Sequence, residues 1–576
     1  MRWLEPEPIR VPRLLREAVG GHPLIAETLM RRGVTSVAAA QAFLDPDAYA
    51  PAPPEDLPGI GVAVARVWHA IENHKPILVW GDFDVDGQTA TTVLVTCLRD
   101  LGADVRHHIP VRETESHGIR VTALAEELSR SVSLIVTCDT GIDAEEAVSY
   151  AMAHGVDVVI TDHHELPSSL PQASAIVNPH FLAEDHPLGD LPGVGVAYKL
   201  AEALYARAGR GADVLGLLDL VALGIVADVA IQRGETRYLL QRGLKALRET
   251  RRLGLQELMK LAGVKADSLD EESIGFAIAP RLNALGRLSD ANPIVDFLTT
   301  DDLTRARVLA SELESLNSRR RMMCDQVEAA AEQRLEADAE QLRGAAIVLA
   351  DPHWPAGIIG IVANRLAERH RRPVVLLSSP PGERARGSAR SVEGCHITEA
   401  IATQRELLDG FGGHAMAAGL ALDPAHIESF RRGLNRAVSA QLAGQEVEPT
   451  LEVHGSVALS ELTLALVSDL ARLGPFGPGN PPLTLVARDV EVVGKRPMGR
   501  NERHVRVTIE DREKDQRAVV WWNWDGASIP AGRVDLAFSA GVNEFKGKTE
   551  VRLVWRDARA SAAEVVEVSA QPAEPL

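Results

Sequence analysis

Between Pro76 and about residue 300, apolar runs of strand length recur between stretches of helical pattern: Ile77–Trp80, Val105–Ile109, Leu134–Thr137 and Val156–Ile160. Such runs, separated by helix-length segments, predict an α/β fold with a parallel sheet. That prediction dictates where chemistry belongs, because an open sheet of this kind binds ligands beyond the carboxyl ends of its strands. Ionisable residues stand there after three of the runs. They are Gly81-Asp82-Phe83-Asp84-Val85-Asp86-Gly87, then Cys138-Asp139-Thr140-Gly141, then Asp162-His163-His164-Glu165.

The remaining chain reads as further domains, as 576 residues require. Short helical patterns broken by Pro and Gly predict a helical leader over residues 1–70, ahead of the α/β domain at 71–300. Thr304 to Leu342 is nearly free of Gly and Pro and predicts one long helix, within a connecting segment 301–343. A second α/β domain, 344–445, has strands Ala345–Ala350 and Pro373–Leu377 and Gly-rich segments at Gly357–Gly360 and Gly410–Gly413. Short strands at Thr484–Val486, Val490–Val493, His504–Ile509, Arg517–Trp522, Asp535–Ser539 and Glu550–Trp555 predict a small β-barrel over 446–560, before a loose tail at 561–576.

No apolar run approaches the roughly 18 residues of a membrane span. The start is not a signal peptide, and Cys97, Cys138, Cys324 and Cys395 lack C-x-x-C spacing. A cytoplasmic protein with no membrane association is the expectation. A net charge of −19 argues against broad nucleic-acid binding but leaves room for a narrow basic channel.

Asp82, Asp84 and Asp86 alternate, which would aim three carboxylates at one spot if the segment were extended. Three such groups repel one another unless a cation is present. An EF-hand is excluded, since the twelfth position from Asp82 is Val93 rather than Glu. A fourth segment, Leu223-Gly224-Ile225-Val226-Ala227-Asp228, ends an apolar run on a carboxylate, with Asp219 as a competitor. Together these segments supply up to six carboxylates and two imidazoles. A donor set so rich in oxygen suits Mn²⁺ or Mg²⁺, and its size suggests two ions sharing a carboxylate.

In this order, the D-x-D, D-x-G, D-H-H and final Asp segments resemble the DHH phosphoesterase superfamily. Further segments are similar to those of its RecJ exonucleases: Pro280-Arg281-Leu282-Asn283-Ala284-Leu285-Gly286-Arg287, Gly387-Ser388-Ala389-Arg390-Ser391, Phe411-Gly412-Gly413-His414, and Gly474-Pro475-Phe476-Gly477-Pro478-Gly479-Asn480-Pro481. The resemblance implies a DHH catalytic domain, a connecting helix, a DHH-associated domain and a C-terminal OB-fold. It implies a 5′→3′ exonuclease that degrades single-stranded DNA to 5′-mononucleotides in repair and recombination, with two divalent ions and no ATP. The alternative is a DHH phosphodiesterase acting on short oligonucleotides or cyclic dinucleotides.

In the family pattern Asp84 and Asp139 bind one ion, supported by Asp82. Asp86, Asp139, His163 and Asp228 bind the other, with Asp139 bridging, and His164 contacts the scissile phosphate or orients the water. Arg281, Arg287, Arg390 and Ser388, with Asn283, are assigned to the substrate's 5′-terminal phosphates. Gly412, Gly413 and His414 are assigned to a phosphate near the ions, and Arg112 to steering the strand. Lys495, Arg496, Arg500, Arg503 and Arg506 would form a basic track on the barrel, with Trp521, Trp522 and Trp524 as stacking candidates. A monomer is expected, with single-strand-binding protein and a helicase as partners. The chain departs from the family pattern at Trp80, where many superfamily members have a His ligand. It departs again at Pro355 after Trp354, where His353 is a substitute, and at Ser116-His117-Gly118, where relatives read G-Y-G and an aromatic platform is lost.

Overall fold

The computed structural model describes residues 1–561 apart from 116, 444–449, 500–503, 525, 528, 531 and 546–547. Strands β1 (Ile77–Trp80), β2 (Val105–His108), β3 (Leu134–Cys138), β4 (Asp157–Thr161) and β5 (Ala175–Val177) form a sheet in the order β2-β1-β3-β4-β5. All neighbours are parallel. β1, β3 and β4 are buried along nearly their whole length, which is why their sequences show no alternation. They are also adjacent and in register at their carboxyl ends: Trp80 pairs with Thr137, and Cys138 with Thr161. The three polar segments therefore leave the sheet side by side.

Helix α1 (Val85–Asp100) is buried for most of its length and packs against α2 (Gly193–Arg207) and α3 (Leu218–Ala227). Its polar residues tolerate burial because Thr89, Thr91 and Thr92 donate their hydroxyls to carbonyls one turn back. Helix α4 (Ala279–Leu288) packs beside the 35-residue helix α5 (Leu303–Ala337), which Asp302 caps. The helix expected to continue to Leu342 breaks at Asp338, and a short helix, Ala339–Arg343, follows.

The second sheet comprises β6 (Ile347–Asp351), β7 (Val374–Ser378), β8 (Ala385–Arg390), β9 (Leu408–Gly413) and β10 (Ala417–Leu422), in the order β9-β10-β8-β7-β6. Only β6 and β7 are parallel. Helix α6 (Ala356–His370) covers it and also packs on α5.

A separate compact unit joins residues 1–51 and 231–233 to the chain from 448 onward. There Arg2–Leu4 pairs in parallel with Thr450–Glu452. Strands Leu485–Met498, His504–Glu510, Gln516–Trp521, Lys548–Ala560 and Arg533–Phe545 pair in that order, and the last returns to the first, closing a barrel. Arg500 and Arg503 lie outside the described residues. The structure divides the expected 1–70 leader at Pro51: helix Ile60–Glu72 buries Ile60, Ala63 and Val67 in the core of the first α/β domain.

Candidate metal centre and phosphate site

The segment after β1 is not an extended run. Asp84 is the N-cap of α1, its Oδ1 accepting from the Gly87 amide at 3.0 Å, and Asp86 already lies in the first helical turn. The three aspartates consequently divide between two clusters. Asp82, Asp84 and Asp139 bring their ligand atoms within 4.8 Å of one another, and so do Asp86, His163 and Asp228. Asp139 joins a third, overlapping group with His163 and His164. His163 Nε2 lies 3.1 Å from Asp139 Oδ1 and 3.9 Å from Asp86 Oδ2, so the two clusters meet at these residues.

Backbone geometry aims these groups. Asp139 adopts a left-handed conformation (φ 60°) as the chain leaves β3, a geometry that costs a non-glycine residue free energy and is concentrated at functional sites. Asp228 is the C-cap of α3, where a carboxylate faces the negative end of the helix dipole. The opening turn of α2 does the reverse for Asp86, whose carboxylate accepts from the Gly193 and Val194 amides at 2.7 and 2.9 Å. Sequence patterning misses this contribution, since neither residue carries a reactive side chain. The available signal is Gly193-Val194-Gly195 opening a helix.

The glycine is required by space: a Cβ at position 193 would lie 2.6 Å from Asp139 Cβ and Oδ1. Gly193→Ala is therefore expected to displace Asp139 and weaken Mn²⁺ binding by about tenfold or more, read by calorimetric titration. An unaltered isotherm would show that the crowding is relieved elsewhere.

The electrostatics favour a cation among these carboxylates. Burial and then Asp84 push Asp82 up to about 7. Burial and Asp228 push Asp86 to about 8. Burial and Asp84 push Asp228 to about 7, and Asp139 is raised by burial and by Asp86. Among the described residues Asp82 Oδ1 is buried with no hydrogen-bond partner, and Asp139 Oδ1 makes no well-formed hydrogen bond although His163 Nε2 lies 3.1 Å away. Orphaned anionic oxygens held this close fit divalent ions with oxygen-rich ligand sets.

Asp162 behaves differently. Burial would raise it, but hydrogen bonds from His164 and from the amide of Ile142 outweigh that and leave it lowered. It also accepts from the His163 and His164 amides, so its role is to hold the His-His turn. That bond to Asp162 raises His164 to about 9, while burial lowers His163, so the two adjacent imidazoles are shifted in opposite directions.

Beyond the clusters, Arg112, Arg287 and Arg390 gather without a carboxylate ion pair among the described residues. Burial lowers Arg287 to about 10, and repulsion from Arg112, Arg320 and Arg390 adds to it. Arg112 stacks its guanidinium 3.9 Å from the Phe83 ring centroid, and among the described residues its Nε is buried without a partner. Arg287 Nη1 donates to the Gly357 carbonyl at 3.3 Å, joining α4 to the start of α6. Gly360 admits Arg390 and Ser388 to that helix: its Cβ would lie 3.1 Å from Arg390 Nη2 and 3.2 Å from Ser388 Oγ. Half-buried, mutually repelling guanidiniums beside a helix amino end are suited to receive an anion.

Arg281 is not part of it. It is buried, with Nε 2.5 Å from Glu314 of α5 and Nη1 donating to the Ala277 carbonyl, so it fastens α4 to the long helix. Asn283 is half-buried on the same helix. Gly412, Gly413 and His414 lead through the β9–β10 hairpin, whose return strand pairs Ala417 with Arg390. The Asp219 competitor is satisfied by Thr250 and Arg252. Trp80 is buried beneath the sheet, 4.3 Å from the His108 ring. His353 sits 3.3 Å from Asp351 on the second domain, at the Arg334–Trp354 contact, rather than with the carboxylates.

Comparison with known proteins identifies three domains in the chain. Residues 76–225 match the DHH family N-terminal domain, 343–440 the DHHA1 domain and 453–557 the RecJ OB domain. A single-stranded-DNA-specific exonuclease RecJ of Bacillus subtilis is 36% identical over 97% of this chain and 71% of its own length. The Escherichia coli RecJ is 33% identical over 92% of this chain and 95% of its own. The chain belongs to the RecJ family. A crystal structure of Thermus thermophilus RecJ with Mn²⁺ superposes with a TM-score of 0.82 at 29% identity, covering 97% of this chain and 79% of that one. That relative has also been solved with Mg²⁺. The family's DHH, DHHA1 and OB architecture is therefore present throughout, and among the described residues no helix is long and apolar enough to cross a membrane.

Proposed function

We propose that this chain is a 5′→3′ exonuclease that degrades single-stranded DNA to 5′-mononucleotides, using two Mn²⁺ or Mg²⁺ ions and no ATP. The observation that carries the reading is the pairing of two carboxylate clusters with an arginine cluster that makes no close carboxylate ion pair among the described residues. One end of a strand can be anchored by its phosphate while the neighbouring phosphodiester lies at the ions.

Asp82, Asp84 and Asp139 would hold one ion, and Asp86, Asp139, His163 and Asp228 the other. Held there, the ions would supply activation of a water and stabilisation of the leaving oxygen. His164, kept protonated by Asp162, donates to the scissile phosphate. Arg112, Arg287, Arg390 and Ser388 grip the terminal phosphate, and Gly412, Gly413 and His414 approach the next one. Arg281 supports this wall through Glu314 instead of touching substrate. The barrel holds the incoming strand with Lys495, Arg496 and Arg506. Trp522, which is largely open to solvent, and Trp524, under Lys495 at 3.6 Å, are its stacking surfaces, whereas Trp521 is stacked on Trp555. Hydrolysis of dinucleotides alone would leave that barrel without a role. The enzyme would act as a cytoplasmic monomer in DNA repair and recombination, beside single-strand-binding protein and a helicase.

The deciding experiment is digestion of long single strands labelled separately at each end, with Mn²⁺ or Mg²⁺. The 5′ label is expected to appear first, as mononucleotide. Release beginning at the 3′ end, or no hydrolysis with either ion, overturns the reading. A second expectation concerns the end contact. Arg390→Met should lower kcat/KM on 5′-phosphorylated strands by about 10- to 100-fold, the value of a charge-assisted phosphate contact, with a smaller loss on 5′-hydroxyl strands. Equal losses on both substrates would place Arg390 away from the terminal phosphate.

A further inference from the structure

One imidazole near the carboxylates has no place in the ligand sets described above. His117 belongs to the loop after β2, and its Nδ1 lies 3.9 Å from Asp82 Oδ2. Its ring rests on Phe83, with centroids 4.5 Å apart and planes tilted by 54°. Phe83 is buried and carries Arg112 as well, so its ring is a shared platform for both side chains, with His117 itself 67% exposed. Asp82 is 8% exposed, and among the described residues its Oδ1 has no hydrogen-bond partner. The first cluster thus presents oxygens alone, while the second contains His163.

Distance decides what His117 can reach. Ligand atoms bound at ~2.1 Å to one six-coordinate ion stand ~3.0 Å apart when adjacent and ~4.2 Å apart when opposite. The 3.9 Å separation between His117 Nδ1 and Asp82 Oδ2 falls between these limits. That pair alone is compatible with a shared ion; His117 stands outside the group in which Asp82, Asp84 and Asp139 lie within 4.8 Å of one another, so its ring must move toward Asp84 and Asp139 to join them. We propose that His117 supplies a nitrogen ligand to the ion held by Asp82, Asp84 and Asp139. This rests on the two-ion reading given above and adds a selectivity to it. An imidazole ligand favours Mn²⁺ over Mg²⁺, which keeps to oxygen ligands and water. The first site then prefers Mn²⁺ through His117 as the second does through His163.

The test uses the full-length protein and Mn²⁺ itself. Free Mn²⁺ is followed by electron paramagnetic resonance during titration, and nitrogen coupling to bound Mn²⁺ by pulsed methods. The wild type is expected to bind two ions and to show coupling to two imidazoles. His117→Ala should weaken one ion by about tenfold or more, remove one imidazole coupling, and reduce the preference for Mn²⁺ over Mg²⁺ at that site. His117→Tyr retains a ring for Phe83 but offers no nitrogen, so it should bind Mn²⁺ as the alanine variant does. Unchanged isotherms and couplings in His117→Ala overturn the proposal, as does wild-type affinity in His117→Tyr. Metal-free melting curves establish that both variants are folded. Two bound ions without strand hydrolysis in the wild type would count against the exonuclease reading alone.

Discussion

Asp139→Asn is expected to lower strand hydrolysis by about 10³-fold or more while raising the melting temperature of the metal-free protein. The two effects share one cause. Asp139 is buried, its Oδ1 makes no well-formed hydrogen bond among the described residues, and burial and Asp86 raise its proton affinity. An amide of the same shape removes the repulsion, and Asn tolerates the left-handed backbone that Asp139 adopts at φ 60°. The same exchange withdraws an anionic oxygen from the place where the two clusters meet, through the 3.1 Å approach to His163. Metal-induced stabilisation should shrink along with turnover. The measurements are digestion of a 5′-labelled strand and thermal melts with and without Mn²⁺. Full turnover would refute the bridging role. A metal-free melting temperature below that of the wild type would assign Asp139 a structural one.

Much of this centre is legible in the chain because its framework is local. β1, β3 and β4 announce themselves as uninterrupted apolar runs, and the polar residues that follow have no reason to end buried strands unless the sheet edge uses them. What stays hidden depends on partners distant in sequence or on groups without side-chain chemistry. The Asp86 carboxylate is held by backbone amides 107 and 108 positions away. Arg281 and Arg287 look alike in the sequence, and only the fold shows that Glu314 neutralises the first while the second faces other arginines. Pairing of Arg2–Leu4 with Thr450–Glu452 has no local signature at all. The barrel's first strand reads as two because Arg488 and Asp489 interrupt the apolar pattern. In the structure the strand continues past an irregularity between Ala487 and Val490, with Asp489 bonded to Arg512 and Arg533.

The stabilisation conferred by Mn²⁺ should grow with pH, being larger at pH 8.5 than at pH 6. Asp82, Asp86 and Asp228 are raised to about 7, 8 and 7 in the folded, metal-free protein, against an ordinary carboxylate value of about 4 when unfolded. Between those limits the native state binds more protons than the unfolded state. Metal-free stability must therefore fall as pH rises from about 4 through about 8. Ions require the ionised carboxylates, so binding below that window displaces protons and is weakened, while above it the carboxylates stand charged and mutually repelling until an ion enters. His164, raised to about 9 by Asp162, also contributes stability that is present below its unfolded value and lost as pH climbs through 9. Its effect falls on both melting curves and largely cancels in their difference. The check is a pair of melts at each pH, with saturating Mn²⁺ and with chelator, the quantity of interest being the gap between them. Several buried carboxylates act together, so the gap should widen by an amount on the order of a few kcal/mol. A gap that is constant or wider at pH 6 would mean that these carboxylates are already ionised without metal and that some other group of the protein neutralises them.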